Sequence, residues 1–174
     1  MLGTSPEAAP TPRRKVSKKV VLLGHFGVGK SSLLKRFVHQ KFSSKYHSTI
    51  GVKIDRKKVA LEDTDLSMIL WDIEGGPDQS TWPQSYFRGG HGVIYVFDWT
   101  RPDTYMNLQR DLDRVREIVP GAALLSIGNK VDCLTAEQQT RLLLGASIPF
   151  DLASSAKTGE NVEHAFQRLA ELML

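Results

Sequence analysis

At 174 residues, 41% hydrophobic and 24% charged, the chain has the size and balance of one globular domain with a full core. Its net charge of +4 is accounted for by the first nineteen residues, where Arg13, Arg14, Lys15, Lys18 and Lys19 outnumber Glu7, so no basic nucleic-acid-binding face is expected. No apolar run approaches the roughly 20 residues that cross a bilayer, and one cysteine, Cys133, excludes an internal disulfide; a reducing, cytoplasmic compartment is expected.

Residues 1–17 read as a Pro-rich and then basic leader, solvated in the plain reading. The alternative is weak contact with an anionic membrane, at about 1 kcal/mol per basic residue near the surface. A domain follows over residues 18–174. Lys18–Leu23 is a β-branched apolar run ending on Gly24, the pattern of a buried strand. Lys30–Val38 places apolar residues on one helical face. Val52–Leu61 and Leu66–Trp71 predict two strands around the polar turn Glu62–Asp65. Val93–Phe97 and Ala122–Ile127 are short buried-strand candidates, with a helix predicted between them over Asp103–Val119. Thr135 and Gln138 have the spacing of a capping box, opening a helix to about Leu144. A strand near Ile148–Leu152 and a helix over Val162–Met173, with Val162, Phe166, Leu169 and Leu172 or Met173 inward, complete the chain. Repeated strand–helix units predict an α/β fold, a mostly parallel six-stranded sheet with helices on both faces. Ligands bind such sheets at the C-terminal ends of their strands.

The first motif lies at that edge. Gly24-His25-Phe26-Gly27-Val28-Gly29-Lys30-Ser31 fits G-x-x-x-x-G-K-[ST] between a strand and a helix, which marks a P-loop NTPase. Glycines let the backbone curl so that several N–H groups face a phosphate, and the helix N-terminus adds its positive end. Lys30 would reach the β- and γ-phosphates, and the Ser31 hydroxyl would ligate Mg²⁺. Asn129-Lys130-Val131-Asp132 follows a later strand. A carboxylate at Asp132 accepts from N1–H and the 2-amino group of guanine, and adenine offers neither donor. Ser155-Ala156-Lys157 follows the last strand and offers a backbone N–H for guanine O6, with a solvated loop as the plain alternative.

With these motifs in this order, residues 18–174 resemble the Ras superfamily of small GTPases, nearest to its Rab branch. Lys41–Val52 looks like a Rab first switch, with Thr49 nineteen residues past Lys30 and Phe42 twelve past it. Trp71-Asp72-Ile73-Glu74-Gly75 matches W-D-x-x-G, Ser85–Gly89 resembles the Rab S-Y-Y-R-G stretch, and Leu152–Phe166 is also Rab-like. The resemblance implies GTP or GDP with Mg²⁺ as ligands. Gly24, Gly27, Val28, Gly29, Lys30, Ser31, Ser32 and Gly75 would bind phosphate. Ser31, Thr49 and Asp72 would hold the metal, Asp72 through water. Phe42, Asn129, Lys130, Asp132, Ser155, Ala156 and Lys157 would hold guanine. It also implies effector proteins at the switches and an exchange factor.

Three positions depart from the family. The catalytic glutamine, which orients the attacking water, is replaced by Gly76. Glu74 stands where a small residue is usual, and Phe26 occupies a place on the phosphate loop that normally stays clear. The plain alternatives are an outward Phe26 and a solvated Glu74. Together the three lead to weak or absent GTP hydrolysis. If Glu74 keeps the family's backbone path, its carboxylate starts close to the γ-phosphate and favours GDP, unless the loop swings it away. Gly76-Pro77 and Trp82-Pro83 are also unlike the family's second switch. The Rab aromatic triad falls on Ile54, Trp71 and Tyr86. All three are candidates for an effector surface; a buried core role is the plain reading of Ile54 and Trp71, while Tyr86 keeps an effector contact. Cys133 reads as a packed apolar-like residue. With no C-terminal cysteine and glycine at position 3, no lipid anchor is expected on these residues. Two function classes remain, a slow GTP/GDP switch and a pseudo-GTPase scaffold holding its nucleotide in one state.

Overall fold

The computed structural model describes residues 12–45, 48–76, 82–145 and 147–174. β1 (Arg14–Leu23) begins exposed and ends in the core, where Val20, Val21, Leu22 and Leu23 are all buried. Burial on both faces is what a central parallel strand requires. β1 pairs in parallel with β3 (Thr64–Ile73) on one side and with β4 (Gly92–Asp98) on the other. β5 (Ala123–Asn129) and the short β6 (Leu152–Ala153) extend the sheet beyond β4, and β2 (Val52–Ala60) lies antiparallel to β3 at the opposite edge. The order β2-β3-β1-β4-β5-β6 is the six-stranded, mostly parallel sheet expected from the alternation of elements.

Alternate residues of β1 feed two cores. Val20 and Leu22 pack with Leu33 and Phe37 of α1 (Lys30–His39) and with Phe166 and Leu169 of α4 (Val162–Leu172). Phe37 and Phe166 stack with ring centroids 4.0 Å apart and only 2° between planes. Val21 and Leu23 pack on the other face with Leu108, Leu112 and Val115 of α2 (Leu108–Ile118). α3 (Ala136–Gly145) opens with the predicted capping box. Gln138 N–H donates to Thr135 Oγ1 at 3.2 Å, and Thr135 N–H donates to Gln138 Oε1 at 2.8 Å.

The structure corrects several boundaries. β1 starts at Arg14, so Arg14–Ser17 belong to the sheet and not to a leader. The cause lies in β3, whose first backbone groups at Thr64–Ser67 need partners and find them in Arg14–Ser17. Arg13 also pairs with Asp65 at 2.6 Å. The first part of the leader expected over residues 1–17, residues 1–11, lies outside the described residues. α2 begins at Leu108 and not at Asp103, because Pro102–Thr104 forms a short 3-10 turn. Thr104 holds that turn, its hydroxyl accepting from Asp98 N–H at 3.0 Å and donating to the Arg101 carbonyl at 2.7 Å. β6 is shorter than Ile148–Leu152 suggests. Pro149 has no N–H to pair, and Ser126 N–H bonds the Asp151 carboxylate at 2.8 Å in place of a ladder partner. At the end of α4, Met173 turns inward while Leu172 is 56% exposed.

Candidate nucleotide and magnesium site

The phosphate loop leaves β1 through backbone that only glycine adopts readily. Gly24, Gly27 and Gly29 have φ of 141°, 74° and 102°. A side chain at Gly24 would strike the Val96 carbonyl, and one at Gly29 would strike the Asn129 amide. Lys30 folds back along the loop, its Nζ donating to the Gly24 and His25 carbonyls at 3.0 Å each. Burial pushes the Lys30 amine down to about 8, with Asp72 opposing the shift. Gly24 and Val28 act as scaffold behind the loop, Val28 being fully buried. Gly27, Gly29, Lys30, Ser31, Ser32 and Gly75 line a cavity of about 220 Å³.

Three elements bring oxygen atoms together beside Lys30. Ser31 Oγ donates to Asp72 Oδ2 and lies 2.9 Å from Thr49 Oγ1, which is itself 3.4 Å from Asp72 Oδ2. Asp72 Oδ1 is buried with no hydrogen-bond partner among the described residues. Burial raises the Asp72 pKa, and its hydrogen bonds from Ser31 and the charge of Lys30 oppose this. An orphaned carboxylate oxygen next to two hydroxyls fits Mg²⁺, a hard cation that takes oxygen ligands.

At the other end of the cavity stand the predicted base-binding residues. Asn129 is buried at the end of β5; its Nδ2 donates to the Val28 carbonyl at 3.0 Å, and its Oδ1 accepts from Ala156 N–H at 3.1 Å. One amide therefore ties the phosphate loop to the Ser155–Lys157 loop. Lys130 has φ 66°, and its Nζ donates to the Gly27 carbonyl at 2.9 Å while pairing with Asp98 at 2.6 Å. Asp132 accepts from Ser155 Oγ at 2.5 Å, and Thr158 N–H caps that hydroxyl at 3.1 Å. Phe42, 38% exposed, Asp132, Ala156 and Lys157 share the cavity wall, whereas Ser155 stands behind it.

Sequence reasoning missed several residues here. Asp98 is fully buried and anchors Lys130; a carboxylate closing an apolar strand was the available signal. Arg36 donates to the Ala156 carbonyl at 2.8 Å and to the Lys157 carbonyl, bracing that loop against α1. Arg101 donates to the Phe26 carbonyl at 2.7 Å. Lys35 and Lys41 also line the cavity. Cys133 is exposed and lines it too, so the packed reading of this residue is wrong: the short 3-10 turn Val131–Cys133 buries Val131 and turns Cys133 outward.

The departures from the family gather at the phosphate end. Phe26 lines the cavity and is 48% exposed. Its backbone packs so close to Gly75 that a Cβ there would lie 2.7 Å from both Phe26 Cα and Lys30 Nζ. The Glu74 carboxylate turns to the first switch, accepting from Gly51 N–H at 2.9 Å. Trp82 is buried and packs on Phe87, ring centroids 6.1 Å apart. Pro77, with Tyr46 and His47 of the first switch, lies outside the described residues. The triad positions do meet. Ile54 opposes Trp71 across β2 and β3, and the Trp71 and Tyr86 rings lie 6.3 Å apart. Ile54 is 52% exposed and Trp71 half-buried, so the expected core role fails for Ile54, which sits on the open side of an edge strand.

Residues 19–174 match the model of the Ras family. The chain belongs to the Ras family. It is 38% identical over 160 residues to the Ras-related protein SEC4 of Saccharomyces cerevisiae, covering 89% of this chain and 74% of that one. It is 33% identical over 171 residues to the Ras-related protein Rab-7b of Mus musculus, covering 94% and 85%. With the GTP-binding protein ypt1 of Schizosaccharomyces pombe it shares 39% identity over 154 residues, covering 85% and 75%. This family member is thus Rab-like, an α/β small GTPase of the nucleotide-binding switch type. Among its described residues no helix is long and apolar enough to cross a membrane.

Proposed function

We propose that this chain is a guanine-nucleotide switch that holds Mg²⁺ and hydrolyses GTP weakly or not at all. One observation carries the reading: the phosphate loop, Thr49 of the metal cluster and Asp132 with Ala156 line one cavity, yet the position that should orient water is Gly76. Lys30 and the loop N–H groups would hold the β- and γ-phosphates. Asp132 would select guanine, and the Ala156 N–H would meet its O6. Ser31, Thr49 and Asp72 would hold Mg²⁺, which offsets the phosphate charge when bound. Without a glutamine amide, no described side chain is assigned to position the attacking water.

The exposed Ile54 with Trp71 and Tyr86 is the proposed effector contact, and an exchange factor would act on the same switches. The basic residues do not support lipid contact through a tail, since Arg14–Lys19 are built into β1 and Lys19 sits 3.7 Å above the Trp71 ring. The single cysteine keeps the cytoplasm as the proposed compartment. Phe26 on the cavity wall favours a second reading, a scaffold that keeps one nucleotide permanently. Chromatography of the nucleotide released from purified protein, followed by single-turnover hydrolysis with Mg²⁺, separates the two. The switch exchanges GDP for GTP. The scaffold retains one nucleotide whatever is added.

A further inference from the structure

The sequence puts a carboxylate where the cavity would hold the most anionic part of its ligand, and the fold gives that carboxylate another partner. Glu74 Oε2 accepts from Gly51 N–H at 2.9 Å, while Glu74 N–H donates to the Gly51 carbonyl at 2.8 Å. The β2–β3 ladder ends at Val52 opposite Ile73, so these bonds close one more rung, with a side chain serving as one acceptor. The rung lies directly behind the metal cluster. Thr49 stands two residues before Gly51, and Asp72 two residues before Glu74. Both belong to the oxygen cluster around Ser31. An ionised acceptor makes a hydrogen bond roughly twice as strong as a neutral one.

We propose that Glu74 is a positioning residue: its carboxylate holds the Gly51 N–H in both nucleotide states and, through two residues of backbone, poises Thr49 for the Ser31–Asp72 oxygens. Both partners belong to the protein, so the tie needs no γ-phosphate. It joins the first switch to the second at one point, and the two move together. The small side chain usual at this position has no atom that reaches Gly51. This inference rests on the nucleotide and Mg²⁺ reading above, and it reverses the expectation that Glu74 acts by repelling phosphate.

Amide hydrogen exchange at Gly51, read by NMR in the Mg²⁺·GDP and Mg²⁺·GTPγS forms, is the direct test. Protection should agree within about threefold between the two forms. Glu74→Ala should speed exchange about tenfold, the factor that 1.4 kcal/mol represents. It should also raise, by a similar factor, the Mg²⁺ concentration that half-retains a fluorescent GTP analogue. Glu74→Gln keeps an acceptor oxygen without the charge and should stay within about threefold of the parent in both measurements. Glu74 is exposed, so both variants should fold, and their thermal melts provide the check. Three results would overturn the proposal: unchanged exchange in Glu74→Ala, a glutamine variant that behaves like alanine, or protection only with GTPγS. A chain that retains no guanine nucleotide would defeat the functional reading, and exchange at Gly51 in the nucleotide-free parent and alanine variant would still decide the tie.

Discussion

The two ends of the cavity are built differently. At the base end the Asn129–Asp132 segment is braced from behind: Asn129 between Val28 and Ala156, Lys130 between Gly27 and buried Asp98, Asp132 against Ser155. At the phosphate end the residues Glu74–Gly76 are partly or fully exposed, and Glu74 is tied to backbone of the other switch and not to the core. The residues proposed to choose the base are tied back to strand ends, while those proposed to set turnover lie on loops. The resemblance to the family is close at the first end and broken at the second. A scaffold-anchored binding site can persist while loop-borne chemistry changes.

The comparison sharpens most at the base. GDP should bind at least about 10³-fold more tightly than ADP, since adenine leaves the Asp132 carboxylate unpaired, and Asp132→Asn should shift preference toward xanthine nucleotides. Displacement titrations with fluorescent GDP and ADP measure this, and equal affinities would end the guanine assignment. Next in size is Asn129→Ala. It strands the buried Ala156 N–H and removes the donor to Val28, so urea unfolding of the nucleotide-free protein should lose about 2–4 kcal/mol. Glu74→Ala, at the exposed end, should stay within about 0.5 kcal/mol in the same assay. Comparable losses would erase the distinction between a braced and an unbraced end.

Turnover comes third. Intrinsic hydrolysis should fall below the roughly 10⁻⁴ s⁻¹ of Ras, which keeps its glutamine, each tenfold drop meaning about 1.4 kcal/mol of barrier. Gly76→Gln alone should help little with Phe26 on the cavity wall, and pairing it with Phe26→Ala should help more. An ordinary rate in the unmodified protein would show that another group positions the water.

The smallest effect is protonic. Lys30 is lowered to about 8 by burial against an ordinary value of 10.5. Between those values the unfolded chain binds more protons than the folded one, so stability of the nucleotide-free protein should rise with pH across that window. Bound phosphate favours the ammonium form, so nucleotide binding near pH 8.5, where the terminal phosphate is already ionised, should take up a fraction of a proton. Calorimetry in two buffers of different ionisation enthalpy reads this directly. Proton release would mean that Lys30 does not face phosphate.

The strand–helix order, the place of the phosphate loop after β1 and the place of Asn129–Asp132 at the end of a later strand were legible because contiguous residues determine them. The apolar run Val20–Leu23 ends on glycine, Thr135 and Gln138 cap a helix locally, and the three loop glycines specify their own backbone. Tertiary structure alone decided what depends on neighbours distant in the chain. Arg14–Ser17 became strand because β3 offered unpaired backbone, and Ile54 became exposed because β2 is an edge. Asp98 found Lys130 across two adjacent strand ends. Glu74 turned from the phosphate position to Gly51 because hairpin pairing brought a backbone N–H within 2.9 Å of its carboxylate, 23 residues away in sequence.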